Sequence, residues 1–193
     1  MKTNLTVNLR SALFLVFTLL GSWSFIGDVL GEEYSSRYKV PDIEVLDQFG
    51  NHHRFYSDLV KGKTVVINFI FTQCQMTCPL LGYNFGQLRE LLAASAGEEI
   101  HLISISIDPT NDTPSRLKAW SDNFGSGKGW TQITGEKVEI DRLVKALQAF
   151  TPDIGDHSTM VLIGREDKNE WVRLDGLSSG KKLFSAIKAN FHG

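Results

Sequence analysis

The sequence predicts an α/β domain in which a mixed central sheet carries helices on both faces. Three observations point there. "TVVINFIF" is an apolar run of strand length, as expected for a strand covered on both sides, and "IHLISISID" reads as a second buried strand. Each is followed by a stretch with helical spacing of apolar residues. The last third instead offers two short strands around a polar turn, then a final helix.

Taken in order, "IEVLDQFG" and "HRFYSDL" read as an N-terminal β-hairpin meeting around "DQFGN". "TVVINFIF" is the first buried strand. A helix then runs from Pro79 to about Ala96, with Leu81, Phe85, Leu88, Leu91 and Leu92 at helical spacing. "IHLISISID" is the second buried strand. "TPSRLKAWSDNF" opens a helix with Thr113 as N-cap and Pro114 at the first helical position. "WTQIT" is a short strand. "VEIDRLVKALQAF" is an amphipathic helix with Ile140, Leu143, Leu147 and Phe150 on one face. "STMVLIG" and "EWVRLDG" pair across "REDKNE", and "KKLFSAIKANF" closes the chain as a helix. The order β-β-β-α-β-α-β-α-β-β-α, with a strand leading into a cysteine motif and then a helix, is the thioredoxin-like arrangement.

Composition narrows the classes. The chain has 193 residues, 42% hydrophobic and 22% charged, enough for one packed domain with some sequence to spare. A formal net charge of -2 carries no basic surplus, so no nucleic-acid partner is expected. Residues 1–31 hold Lys2 and Arg10 and then an apolar run from Ala12 to about Ile26. That pattern fits a cleaved signal peptide or an uncleaved membrane anchor, and both put the following domain outside the cytoplasm. Residues 32–38 read as a tether and 39–193 as the domain, periplasmic and either soluble or held at the inner membrane. "GSGKGW" is not a phosphate loop, because Asp122 stands where the first glycine belongs and Gly129 replaces the hydroxyl residue.

The only two cysteines, Cys74 and Cys78, sit in "CQMTCP" directly after the first buried strand. A disulfide there would close too small a loop to stabilise the fold much, so a redox pair or a metal clamp is the better use. One helical turn would set their Cα atoms roughly 6 Å apart, within reach of either. Pro79 disfavours helical backbone at Cys78, so both cysteines are expected in the loop preceding the helix. Two sulfurs do not complete a zinc site, whereas two thiolates and one imidazole satisfy Cu(I). Of the five histidines, His52 and His53 fall in the hairpin turn, His101 begins a strand and His192 is second from the end. His157, in "PDIGDHSTMVLIG", lies in the loop feeding a core strand, on the side where the cysteine-bearing strand ends. Asp156 beside it is expected to orient the imidazole. Asp108 and Asp112, in "DPTNDTP", read as a turn capping the next helix or as an acidic patch near a metal mouth.

"FTQCQMTCP", "SISIDPTNDTPSRLKAW" and "DHSTMVLIG", in that order, resemble the Sco/SenC family over roughly residues 39–191. The resemblance implies a thioredoxin-like domain, usually membrane-tethered, that binds copper as Cu(I) or Cu(II). It also implies the ligand set Cys74, Cys78 and His157. The expected role is a metallochaperone assisting assembly of the binuclear copper centre of cytochrome c oxidase. Its partners would then be the copper-bearing oxidase subunit and an upstream copper donor. The alternative is a thiol–disulfide oxidoreductase that reduces target cysteines before metal insertion, with Cys74 and Cys78 as its redox pair. A peroxidase is disfavoured, since neither cysteine has a T-x-x-C context. Where the family often has an acidic residue between the cysteines, this chain has Gln75, Met76 and Thr77.

Overall fold

The computed structural model describes residues 38–95 and 100–191. The expected signal or anchor over residues 1–31, nearly all of the expected tether and His192 lie outside the described residues. Among the described residues, seven strands form one sheet: β1 (Glu44–Asp47), β2 (His52–Arg54), β3 (Thr64–Ile70), β4 (Ile100–Ser106), β5 (Trp130–Thr134), β6 (Met160–Arg165) and β7 (Glu170–Asp175). Their spatial order is β2-β1-β5-β4-β3-β6-β7. The central β3–β4 and β4–β5 pairs are parallel, and the outer pairs are antiparallel. The helices described are α1 (Cys78–Ala94), α2 (Pro114–Asp122), α3 (Lys137–Ala146) and α4 (Gly180–Phe191), and they cover the sheet. The α/β class and the mixed sheet with helices on both faces are those the sequence predicts.

Alternation along β3 makes two cores. Val65, Ile67 and Phe69 face α3 and pack with Ile140, Leu143 and Leu147. Val66 and Ile70 face the other way, toward Leu81, Phe85 and Leu88 of α1 and Leu183 and Ile187 of α4. All seven residues of β3 are buried, which explains why its sequence lacks apolar–polar alternation. β3 lies inside the sheet between β4 and β6, so the cysteine loop that follows it starts from an interior strand. Helix α1 approaches the segment after α2 so closely that a Cβ on Gly86 would lie 2.2 Å from the Phe124 carbonyl oxygen. Only glycine fits there.

Three local expectations are corrected. The second run of the hairpin is strand only through Arg54; Phe55–Val60 form a π-helical turn instead. The Asp58 carboxylate accepts the Arg54 N–H at 2.6 Å, Lys61 N–H reaches back to the Tyr56 carbonyl, and the wider turn buries both Phe55 and Val60. Helix α3 stops at Ala146, because Gln148 takes a left-handed backbone (φ 56°) and turns Phe150 out to 43% exposure. Lys145 Nζ sits 4.5 Å from the centre of that exposed ring. Cys78 is the first residue of α1 and not the end of a loop, with Pro79 in the first turn, where its missing N–H costs nothing. Tyr38, last of the residues read as tether, is buried with its ring 5.2 Å from that of Trp171.

Candidate metal centre

β3 delivers Cys74 four residues past its end, α1 begins on Cys78, and the loop before β6 carries His157. These three meet. Cys74 Sγ, Cys78 Sγ and a ring nitrogen of His157 all lie within 4.8 Å of one another, and among the described residues they are the one such group of potential ligands. Cys78 Sγ is 3.5 Å from His157 Nε2. Cys74 Sγ accepts the Cys78 N–H at 3.4 Å and sits 3.7 Å from the Thr77 hydroxyl. Cys78 is fully buried, His157 is 9% exposed and Cys74 is partly open to solvent. Met76, between the cysteines, is 87% exposed and forms the outer rim.

The SCO1/SenC family model matches residues 35–191. The chain belongs to the SCO1/SenC family. A Stutzerimonas stutzeri protein named for copper binding is 32% identical over 152 residues, covering 72% of each chain. Solved structures share the fold. BsSco, described as a Sco-family cytochrome c oxidase assembly protein with a disulfide switch, superposes with a TM-score of 0.67 at 24% identity, covering 83% of this chain and 96% of its own. Copper-bound yeast Sco1 gives a TM-score of 0.65 at 20% identity, covering 78% and 86%.

Within this SCO1/SenC site the two thiols are electrically unlike. Burial works against ionising Cys74, but the N–H and side chain of Cys78, the Met76 N–H and the Thr77 hydroxyl outweigh it and hold the thiol at about 7. The Cys78 N–H belongs to the first turn of α1, so the helix terminus adds its own preference for a thiolate. Burial pushes Cys78 up to about 12; the Phe71 N–H opposes this, and the neighbouring Cys74 and Asp112 charges add to it. Burial lowers the His157 imidazole below its ordinary value, so it is neutral at pH 7 and has a lone pair to offer.

A direct consequence is selective alkylation. At pH 7 Cys74 is largely thiolate and the buried Cys78 is held as the thiol, an advantage that the lower intrinsic nucleophilicity of a low-pKa thiol only partly returns. Iodoacetamide should therefore label the partly exposed Cys74 well before the buried Cys78, with a rate that rises through pH 7 and levels off above about 8. Peptide mapping at short times reads this out; equal labelling of both cysteines would contradict the asymmetry.

The other sequence candidates fall elsewhere. His52 Nδ1 pairs with Glu44 at 2.6 Å and His53 Nε2 with Asp47 at 3.0 Å, both on the β1–β2 hairpin. His101 lies on β4 inside the sheet, in register with Val65. Asp156 does not orient the imidazole: it is exposed at the end of a 3-10 turn, and His157 Nδ1 is buried without a hydrogen-bond partner. Asp112 is neither surface patch nor cap. It is fully buried, while Thr113 caps α2 by accepting the Arg116 N–H. Phe71, which sequence reasoning treated as the end of an apolar run, packs its ring edge-on against His157 at 5.2 Å between centroids.

Proposed function

We propose that this SCO1/SenC protein is a copper-delivery protein that takes one Cu(I) on Cys74, Cys78 and His157 and passes it to the copper-bearing subunit of cytochrome c oxidase. The observation that carries the reading is the convergence of two sulfurs and one imidazole nitrogen within 4.8 Å. The donor set fits the cargo. Two thiolates and a neutral imidazole suit a soft, low-coordinate ion, whereas structural zinc asks for four ligands. Partial exposure of Cys74 beside a buried Cys78 leaves one sulfur accessible to a donor or an acceptor protein. The copper-binding name of the Stutzerimonas relative, the copper in yeast Sco1 and the assembly role given for BsSco support the same reading. Residues 1–31 would export the domain to the periplasm, or hold it at the inner membrane where the oxidase subunit is reached.

The asymmetry of the thiols favours a second reading, a thiol–disulfide oxidoreductase. Cys74 would attack a target disulfide as thiolate, and Cys78 would resolve the mixed disulfide. The target gains two electrons and two protons, and Cys74–Cys78 is left as the disulfide. Both readings predict that a strain lacking this chain assembles oxidase without its binuclear copper centre. Its visible and near-infrared absorption should be lost and should return with the wild-type chain; an unchanged oxidase spectrum would reject both.

A further inference from the structure

Phe71 contacts two of the three candidate ligands and lies in the same apolar cluster as the third, Cys78. Its carbonyl accepts the Cys74 N–H at 3.2 Å, and its ring rests on His157. The next residue, Thr72, is tied twice to one side chain. The Thr72 hydroxyl donates to Asp112 Oδ1 at 2.5 Å, and the Thr72 N–H lies 3.1 and 3.2 Å from the two Asp112 oxygens. Asp112 Oδ2 also accepts the Ser106 hydroxyl at 2.7 Å, which fastens the same carboxylate to the end of β4. A fully buried carboxylate held by neutral donors is costly, and capping α2 does not require it, since Thr113 performs that task.

We propose that Asp112 is a positioning residue for the metal centre: by fixing Thr72 against β4 it fixes Phe71, and through Phe71 the mutual orientation of Cys74, Cys78 and His157. The proposal rests on the copper reading above for its consequence, though the clamp itself exists without metal. An acid in a turn thereby does the orienting expected of Asp156.

The test uses the full reduced chain and three variants. Asp112→Asn keeps the shape but turns one acceptor into a donor, Thr72→Val removes the hydroxyl at constant volume, and Thr72→Ser keeps it. Competition with a chromophoric Cu(I) chelator, without oxygen, should show Asp112→Asn and Thr72→Val each about 10-fold weaker, the lower end for losing an outer partner of a metal site. Thr72→Ser should match wild type, and the Asp112→Asn/Thr72→Val pair should lose no more than the worse single variant. In the metal-free chain, hydrogen exchange at the Thr72 and Cys74 amides should accelerate in both weakened variants while β3 and β4 stay protected. Wild-type copper affinity in Asp112→Asn, or an equal loss in Thr72→Ser and Thr72→Val, would overturn the proposal. So would faster exchange spread evenly over the sheet, which would mark a general loss of stability. If the wild-type chain takes up no Cu(I), the copper reading fails separately, and the metal-free exchange pattern decides the clamp on its own.

Discussion

Cys78→Ser is expected to abolish tight Cu(I) binding. The hydroxyl that replaces the sulfur is a hard donor with no accessible anionic form, and it leaves one thiolate and one imidazole for a soft ion. The loss should exceed about 100-fold, the upper end for disturbing a mere outer partner of a metal ligand. Fold should survive, because serine is slightly smaller than the cysteine it replaces and His157 Nε2, 3.5 Å from the present sulfur, offers the buried hydroxyl a partner. Chelator competition on the reduced chain, with circular dichroism as the folding control, measures this. Unchanged affinity in a folded Cys78→Ser variant would end the two-thiolate account. Since this variant also destroys the redox pair, it does not choose between delivery and disulfide exchange.

His157→Ala makes that choice. It removes one of three proposed ligands and leaves both sulfurs at their present spacing, within 4.8 Å of each other, free to form and exchange a disulfide. Copper retention should fall by more than about 10-fold, since a direct ligand outweighs an outer one. In cells a delivery protein predicts lost oxidase activity, partly restored by added copper. An oxidoreductase predicts near-normal activity. His157 also packs on Phe71, so stability of the purified variant is measured alongside. Wild-type behaviour in both copper retention and oxidase assembly would replace the delivery reading by the redox one.

What the sequence made legible follows from local physics. The largely apolar run of β3, the Thr113–Pro114 start of α2 and the polar "REDKNE" turn between β6 and β7 each fix an element without help from the rest of the chain. Cys74, Cys78 and His157 were legible as a set because the motif order carries a family resemblance and because thioredoxin-like topology brings the two loops together. The features that escaped are tertiary. Phe150 continues the helical spacing of Ile140, Leu143 and Leu147, and only the left-handed Gln148 diverts it. Phe55 and Val60 stand five residues apart, a spacing that a π-turn buries and a strand pattern hides. Asp112 is indistinguishable in sequence from a turn acid; its role depends on Thr72, 40 residues earlier, and on the end of β4. Asp156 shows the converse: adjacency to His157 in sequence does not turn its carboxylate toward the ring.

The central claim is a two-sulfur, one-nitrogen copper site, and X-ray absorption at the copper edge of the reduced, Cu(I)-loaded full chain tests it most directly. The account predicts one copper per chain with two sulfur ligands and one imidazole ligand, and loss of the imidazole scattering alone in His157→Ala. A wild-type shell made only of sulfur, or one that is the same in wild type and His157→Ala, would contradict it.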